Sequence, residues 1–258
     1  QINSKCLIVI KSTVPAGFTK RMISIFDSNI IFCPEFLREE HAYEDVFYPS
    51  RLIIGADSQG KRIEKFENLL ESSIKNGEKV IYMSTLEAET TKLFSNAYLA
   101  MRVAFFNELD SFALSNKISS ENIIKGLGKD ARIGDIYNSP SFMFEGICLP
   151  KDTIELASEI KEIQNNQLIT SITKSNENRL EFIAREIIER AKEISGKNES
   201  DIVVGIYNLH TFKYGSGYKT SSSIRLMSYL KDKKIKVVTF DEHYEKSIKN
   251  FDEFVSIT

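Results

Sequence analysis

The chain has 258 residues, 42% of them hydrophobic and 27% charged, with 12 Gly and 5 Pro. That composition suits one large or two small soluble globular domains. A formal net charge of −2 with no Lys/Arg run excludes a nucleic-acid footprint. No apolar stretch reaches the roughly 20 residues a bilayer span needs, and no signal peptide opens the chain. Cys6, Cys33 and Cys148 are odd in number and widely spaced, which suits reduced thiols of a cytosolic enzyme better than a disulfide scaffold.

From the start, short β-branched or aromatic runs alternate with helix-like segments. The strands are expected at Cys6–Lys11, Asn29–Cys33, Arg51–Ala56 and Lys79–Met83, with helices near Ala16–Phe26 and Gln59–Lys75. This alternation predicts an α/β layer with a mostly parallel sheet. Thr85 to Lys125 then contains neither Gly nor Pro. Its opening, Ser84-Thr-Leu-Glu87, fits a capping box. Apolar residues crowd both faces, among them Leu93, Phe94, Ala97, Tyr98, Met101, Ala104, Phe105 and Phe112, so the helix must be covered on two sides. It reads as a spine and dimer seam; the plainer alternative is a core helix of one domain. A loop-rich stretch, Gly126 to Pro150, precedes helices at Thr153–Gln164 and Gln167–Ser195. A second α/β unit follows: a buried strand at Asp201–Tyr207, a helix at Ser221–Lys231 and a strand at Lys236–Phe240. The fold expected is α/β, two Rossmann-like parallel-sheet units joined by a long central helix, the N-terminal unit incomplete. The divisions expected are 1–84, 85–195 and 196–258. The chain opens at Gln1 and stops inside a strand-like run, as a piece of a longer protein would.

Chemistry-bearing residues cluster at few places. In Cys148-Leu-Pro-Lys-Asp152 a thiol, an ammonium and a carboxylate lie within five residues, and a nearby cation favours the reactive thiolate. The same residues suit a buried thiol followed by a capping box, Asp152-Thr-Ile-Glu155. Lys92 and Asn96 stand one helical turn apart and could hold an oxyanion together, or could face solvent. Glu35 and Glu39 share that spacing if the segment after Pro34 is helical, as an acid–base pair or as surface charge. No metal-ligand pattern is present.

Five segments, taken in order, are more specific than any of these pairs: KSTVPAGFT (11–19), CPEFLREEHAYEDVFYPSRLIIG (33–55), EAETTKLFSNAYLAMRVAFFNELDSFA (87–113), RIGDIYNSPSF (132–142) and CLPKDT (148–153). Together they resemble the nucleotide-sugar dehydrogenases, the UDP-glucose/GDP-mannose dehydrogenase family, with YPSR and NELD favouring the UDP-glucose branch. The resemblance implies an NAD-dependent four-electron oxidation of a UDP-sugar alcohol to a carboxylate, in a cytoplasmic homodimer built on the 85–115 helix. It implies that Cys148 traps the aldehyde, that Lys92 and Asn96 hold the oxyanion, that Asp152 and Thr13 handle water and protons, and that Glu39 assists hydrolysis. Glu35, main chain at Phe36 and Leu37, Tyr137, Ser141, Gly146 and Lys213 would bind the sugar nucleotide, Arg132 its diphosphate, and Thr13 and Lys151 the NAD.

Three departures stand against that pattern. The family's G-x-G-x-x-G pyrophosphate loop is absent, and Gly215-Ser-Gly-Tyr-Lys-Thr220 reads as a plain loop. The glycine loop before the thiol reads FMFEGIC, with Met143 and Glu145 in place of glycines. The loop after Tyr207 carries no Arg before Arg225. These allow two other readings: a noncatalytic nucleotide-sugar-binding or dimerisation module, and a dehydrogenase for a different UDP-sugar.

Overall fold

The computed structural model describes residues 6–27, 29–38, 41–162, 167–207, 209 and 221–240. The expected Glu39, Lys213 and the 215–220 loop lie outside the described residues. Two compact units divide the chain: Gln1–Asn96 with Glu155–Asn165, and Ala97–Ile154 with Asn166–Thr258.

In the first unit the elements run β1 (Leu7–Ile10), α1 (Phe18–Phe26), β2 (Asn29–Phe32), α2 (Ala42–Phe47), β3 (Leu52–Gly55), α3 (Lys61–Ser73) and β4 (Val80–Met83). The sheet order is β1-β2-β3-β4. β1 pairs parallel with β2 and β3 parallel with β4, but β2 meets β3 antiparallel, through Phe32 and Gly55. The sheet is therefore mixed at its centre. The central strands carry the burial: every residue of β3 and three of the four in β2 are buried. Ile31, Ile54 and Ile63 form a core on one side, and Phe32, Ile53 and Ala88 on the other.

Helix α4 (Thr85–Ser115) begins in the first unit and ends in the second. Its predicted capping box is present. The Ser84 amide donates to Glu87 Oε2 at 2.7 Å, and the Glu87 amide donates to Ser84 Oγ at 3.3 Å. Asp57 adds a second cap, accepting from the Thr85 amide at 3.0 Å and its hydroxyl at 2.8 Å. The second apolar face, expected to be covered, has no cover from the described residues of this chain. Ala88, Leu93, Ala97, Ala100 and Ala104 are buried, whereas Phe94, Tyr98, Phe105 and Phe112 are exposed. Steps of four and seven residues keep these four rings on one side of the helix.

The second unit adds α5 (Ser120–Gly128), the start of α6 (Cys148–Glu159, whose residues from Glu155 on belong to the first unit), α7 (Gln167–Ser195), β5 (Val203–Tyr207), α8 (Ser222–Asp232) and β6 (Lys236–Phe240). β5 and β6 form a parallel pair. A core of Leu180, Ile183, Ala184, Ile206, Leu226, Leu230 and Val237 joins α7, α8 and the pair. The strand expected to be wholly buried is not. Val203 is 52% and Tyr207 66% exposed, while Ile206 is buried. A strand alternates its side chains across two faces, and this face of the pair has no cover among the described residues.

Helix α6 starts five residues before the position predicted. Pro150 fits because the first helical turn needs no amide donor there. Asp152 consequently lies inside the helix, and no capping box forms at Asp152–Glu155.

Candidate active-site elements

Residues 33–38 after β2 form no helix, so the condition that would have put Glu35 and Glu39 on one face is not met over them. Phe36 is the fixed point of this stretch. The Arg51 guanidinium lies 3.8 Å from its ring centroid and the Lys92 ammonium 5.2 Å. A cation over a ring face is attracted by the ring quadrupole, and more strongly when desolvated. Arg51 also donates to Ser95 Oγ at 3.2 Å, and Ser95 donates to Thr91 O at 2.7 Å. Burial draws the Arg51 pKa down from its ordinary value. Lys92 Nζ donates to the Glu35 carbonyl at 2.5 Å. Lys92 and Asn96 are each only 8% exposed, so this is not a solvated helix face. Lys11 pairs with the Glu35 carboxylate at 3.3 Å. Cys33, which opens the segment, is buried, and burial pushes its thiol pKa up, with Lys11 acting the other way. Leu37 is exposed.

Thr13, half-buried, lies in the connection from β1 to α1. The start of α1 is closed by side chains invisible to motif reading. Glu89, fully buried on α4, accepts from the Gly17 amide at 2.6 Å and the Thr19 amide at 2.7 Å, and Glu159 accepts from the Ala16 amide at 2.7 Å. Free amides at a helix start are what receive a phosphate. Here two carboxylates already hold them, so this strand–turn–helix does not fit an NAD pyrophosphate.

In the second unit, Cys148 is the first residue of α6, and its side chain is exposed. Asp152, one turn later on the same face, is fully buried, and Lys151 Nζ stands 3.6 Å from its Oδ1. Gly146, with φ +86°, supplies the left-handed turn before the helix.

The two replaced glycines are accommodated inside this unit. Met143 is buried in the α7–α8 core. Glu145 does not stand as an unpartnered charge: its Oε2 accepts from the Ser222 amide at 2.5 Å. Arg225 pairs with Glu177.

Ser141 is tied on three sides. Its amide donates to Asn107 Oδ1 at 2.7 Å, its hydroxyl to Met143 O at 3.0 Å, and its carbonyl accepts from Arg179 Nε at 3.1 Å. Arg179, nearly fully buried, also reaches Asp110 at 2.5 Å and Ser111 at 2.7 Å. Asn107 and Asp110 are the ends of the NELD segment, whose structural part is thus to fix the Ser141 loop. Ser141, Phe142, Asn138, Asp110 and Arg179 line a cavity of about 790 Å³, within the ordinary size of a small-molecule site. Arg102 donates to the carbonyls of Ile133, Gly134 and Ile136, bracing the turn between Arg132 and Tyr137. Tyr137 has φ +56°, and Arg132 is exposed and paired with Asp130 at 2.6 Å. That bond holds the Asp130 carboxyl below its usual range.

Motif reading missed Arg51, Glu89, Arg102, Asn107, Asn176 and Arg179. The buried ion pair gave the one available signal, a lone Arg amid the apolar rows of a helix. Among the described residues, no group of His, Cys, Asp and Glu could hold a metal ion, and no helix is long and apolar enough to cross a membrane.

Comparison with known proteins is consistent along the chain. The model of the UDP-glucose/GDP-mannose dehydrogenase family, NAD binding domain, matches residues 1–74, and that of the central domain matches residues 86–178. A UDP-glucose 6-dehydrogenase of Campylobacter jejuni is 45% identical over 90% of this chain and 56% of its own length. That of Streptococcus pneumoniae is 38% identical over 100% of this chain and 66% of its own. The chain thus spans less than two thirds of these relatives. A solved UDP-glucose dehydrogenase of the archaeon Pyrobaculum islandicum superposes with a TM-score of 0.79 at 26% identity, covering 97% of this chain and 59% of that one. With two domain models of one family matched in order, the chain belongs to the UDP-glucose/GDP-mannose dehydrogenase family.

Proposed function

We propose that the protein containing this chain oxidises the C6 alcohol of UDP-glucose to the carboxylate, giving UDP-glucuronate. The observation that carries this reading is the exposed Cys148 at the start of α6, one turn before the buried Asp152, in a chain 45% identical to a UDP-glucose 6-dehydrogenase. NAD would be the hydride acceptor. The β1–α1 turn does not fit its pyrophosphate, so that half of the site falls to sequence outside this chain; Thr13 and Lys151 are proposed to face the rest of the cofactor.

The chain's own residues do the covalent work. Cys148 sulfur adds to the C6 aldehyde carbon, forming a C–S bond and placing negative charge on oxygen, which Lys92 and Asn96 stabilise as donors. After oxidation to the thioester, water adds to the same carbon and the C–S bond breaks, returning the thiol. Asp152 and Thr13 orient that water and move its proton, and Glu39 assists as base. Glu35, main chain at Phe36 and Leu37, Tyr137, Ser141, Gly146 and Lys213 hold the sugar nucleotide, and Arg132 its diphosphate. The functional divisions are 1–84 for part of the cofactor domain, 85–195 for the centre and 196–258 for UDP.

The exposed row Phe94, Tyr98, Phe105 and Phe112 supports a homodimer formed along α4, and the setting proposed is the cytosol. The bonding of Glu145 to α8 supports UDP-glucose over a sugar altered to meet a free carboxylate.

The test is alkylation of Cys148 in the full-length protein. Protection by UDP-glucose together with UDP-glucose-dependent NADH formation is expected. Absence of NADH with every UDP-sugar tried would sink the catalytic reading. The 258-residue chain alone is expected to give no turnover. A second reading, a noncatalytic nucleotide-sugar-binding module, draws on the carboxylate-filled start of α1; retained UDP-glucose binding in a full-length protein without turnover would favour it.

A further inference from the structure

We propose that Glu145 is a positioning residue for Cys148: its bond to the first amide of α8 completes a three-point clamp on residues 143–145 that fixes where α6 and its leading thiol begin. Each consecutive residue of the clamp is held differently. Met143 is anchored by its side chain, buried with Leu180, Leu226 and Met227. Phe144 is anchored by its main chain, which exchanges two hydrogen bonds with the buried Asn176 side chain. Its amide donates to Oδ1 at 2.7 Å, and its carbonyl accepts from Nδ2 at 3.0 Å. Glu145 is anchored by its carboxylate, 2.5 Å from the Ser222 nitrogen.

The carboxylate meets a real vacancy in the bonding of α8. The opening amides of a helix lack intrahelical acceptors, and an N-cap hydroxyl usually supplies one. The N-cap residue Ser221 makes no such bond. Its hydroxyl donates instead to the Leu209 carbonyl at 2.5 Å. Glu145 is the acceptor the helix takes from elsewhere, and a negative group is favoured at that end.

Only Gly146 and Ile147 separate the clamp from Cys148. Gly146 has φ +86°, and a glycine explores backbone conformations closed to other residues. With 143–145 loose, nothing in this short link would fix the direction in which the helix starts. With them held, the rigid turn requires only one glycine, and the loop tolerates the loss of two. Arg225, one turn into α8, pairs with Glu177 of α7 and leaves the carboxylate of Glu145 to the amide.

The clamp concerns the thiol read above as the nucleophile, and its importance for turnover rests on that reading; its test does not. In the full-length protein without substrate, iodoacetamide labelling of Cys148 would be followed by mass spectrometry, with exposed Cys6 as internal reference, beside amide exchange over 142–150. Four variants decide it: Glu145→Ala, Glu145→Gln, Ser222→Pro and the Ala/Pro double variant. Ser222→Pro removes the donor without disturbing the helix start, since proline suits the first helical position and Ser221 is already extended at φ −60°, ψ 129°, though it also replaces the buried Ser222 side chain. Loss of one cap-strength contact corresponds to roughly a tenfold change in local opening. Glu145→Ala and Ser222→Pro should each speed exchange at 142–148 by about tenfold and change the ratio of Cys148 to Cys6 labelling, because the setting of the thiol follows the clamp. Glu145→Gln, which still offers an oxygen acceptor, should stay near the parent. The double variant should be no looser than either single one.

Loosening confined to α8, with 142–148 exchange and Cys148 labelling unchanged, would overturn the proposal and leave Glu145 as a cap alone. Additive effects of the two single changes, or Gln as loose as Ala, would overturn it too. A protein that binds but never oxidises UDP-sugars would leave every one of these outcomes readable.

Discussion

The Phe36 segment of the first unit and the Cys148 loop of the second are both held firmly, by different physics. Phe36 lies beneath two cations, and the groups around it, Arg51, Lys92, Lys11 and Glu35, are charged. The Cys148 loop is held by a buried methionine, an amide side chain paired to main chain, and a single carboxylate on a helix start. Cation–ring contacts tolerate sliding, because a ring face is broad. Paired main-chain bonds do not, because hydrogen bonds weaken steeply with angle. The first arrangement leaves its segment room for small shifts; the second fixes its loop in one place.

The largest way to break that contrast is at the thiol of that loop. Cys148→Ser in the full-length protein should lower turnover by roughly three orders of magnitude or more, as losses of nucleophiles do, while UDP-glucose binding by calorimetry stays within a few fold. Comparable loss from Cys6→Ser would remove Cys148 from its role. Next is the brace behind the Ser141 loop. Arg179→Ala takes the cation from the Asp110 carboxylate, leaving it the Ser120 hydroxyl, and should cost about 3 kcal/mol in denaturant unfolding. A cost near that of a surface change would mean the pair is solvated. Smaller is Arg51→Ala, which removes the closer cation from Phe36 and should destabilise the first unit by about 1–2 kcal/mol, with Arg51→Lys intermediate. The smallest effect, because Tyr82 is 40% exposed and solvent screens its surroundings, is a pH dependence on β4. Burial, with help from its bond to Glu67, pushes the Tyr82 phenol up to about 12. The folded chain therefore keeps that proton where the unfolded chain, at about 10, loses it. This stability is fully present below pH 10 and drains away as pH rises from 10 to 12. Ultraviolet titration should show a late-titrating Tyr82, and Glu67→Gln should bring it earlier.

The reach of sequence reasoning followed the range of the interactions. Local signals located α7 and β6 to the residue and the Ser84–Glu87 box to its bonds. Helix α6 was misjudged at its start because Pro150 reads as a turn, yet the first turn of a helix accommodates it. The antiparallel junction of β2 and β3 left no trace, since both strands read as equally apolar. The family motifs pointed to Cys148, Lys92 and Asn96 as a set, but the contacts that order the surrounding segments join residues far apart in the chain. Glu89 reaches back 72 residues to Gly17, and Glu145 forward 77 to Ser222. Neither has a spacing that a motif could encode. The departure at Glu145 was legible as an oddity; its bond was not.

The antiparallel junction also sets a rule of inheritance. Where β3 turns to meet the first turns of α4, a methyl group on Gly55 would lie 2.6 Å from Ala88 Cβ and 3.2 Å from Thr85 Cα. Strand and helix touch there with one methyl group between them, and the space admits no second. Alanine at 55 is therefore incompatible with the methyl at 88, and even without that methyl it would press on Thr85 Cα at 3.2 Å and Phe32 O at 3.3 Å. Related sequences read side by side should show small residues at both places and never alanine at both.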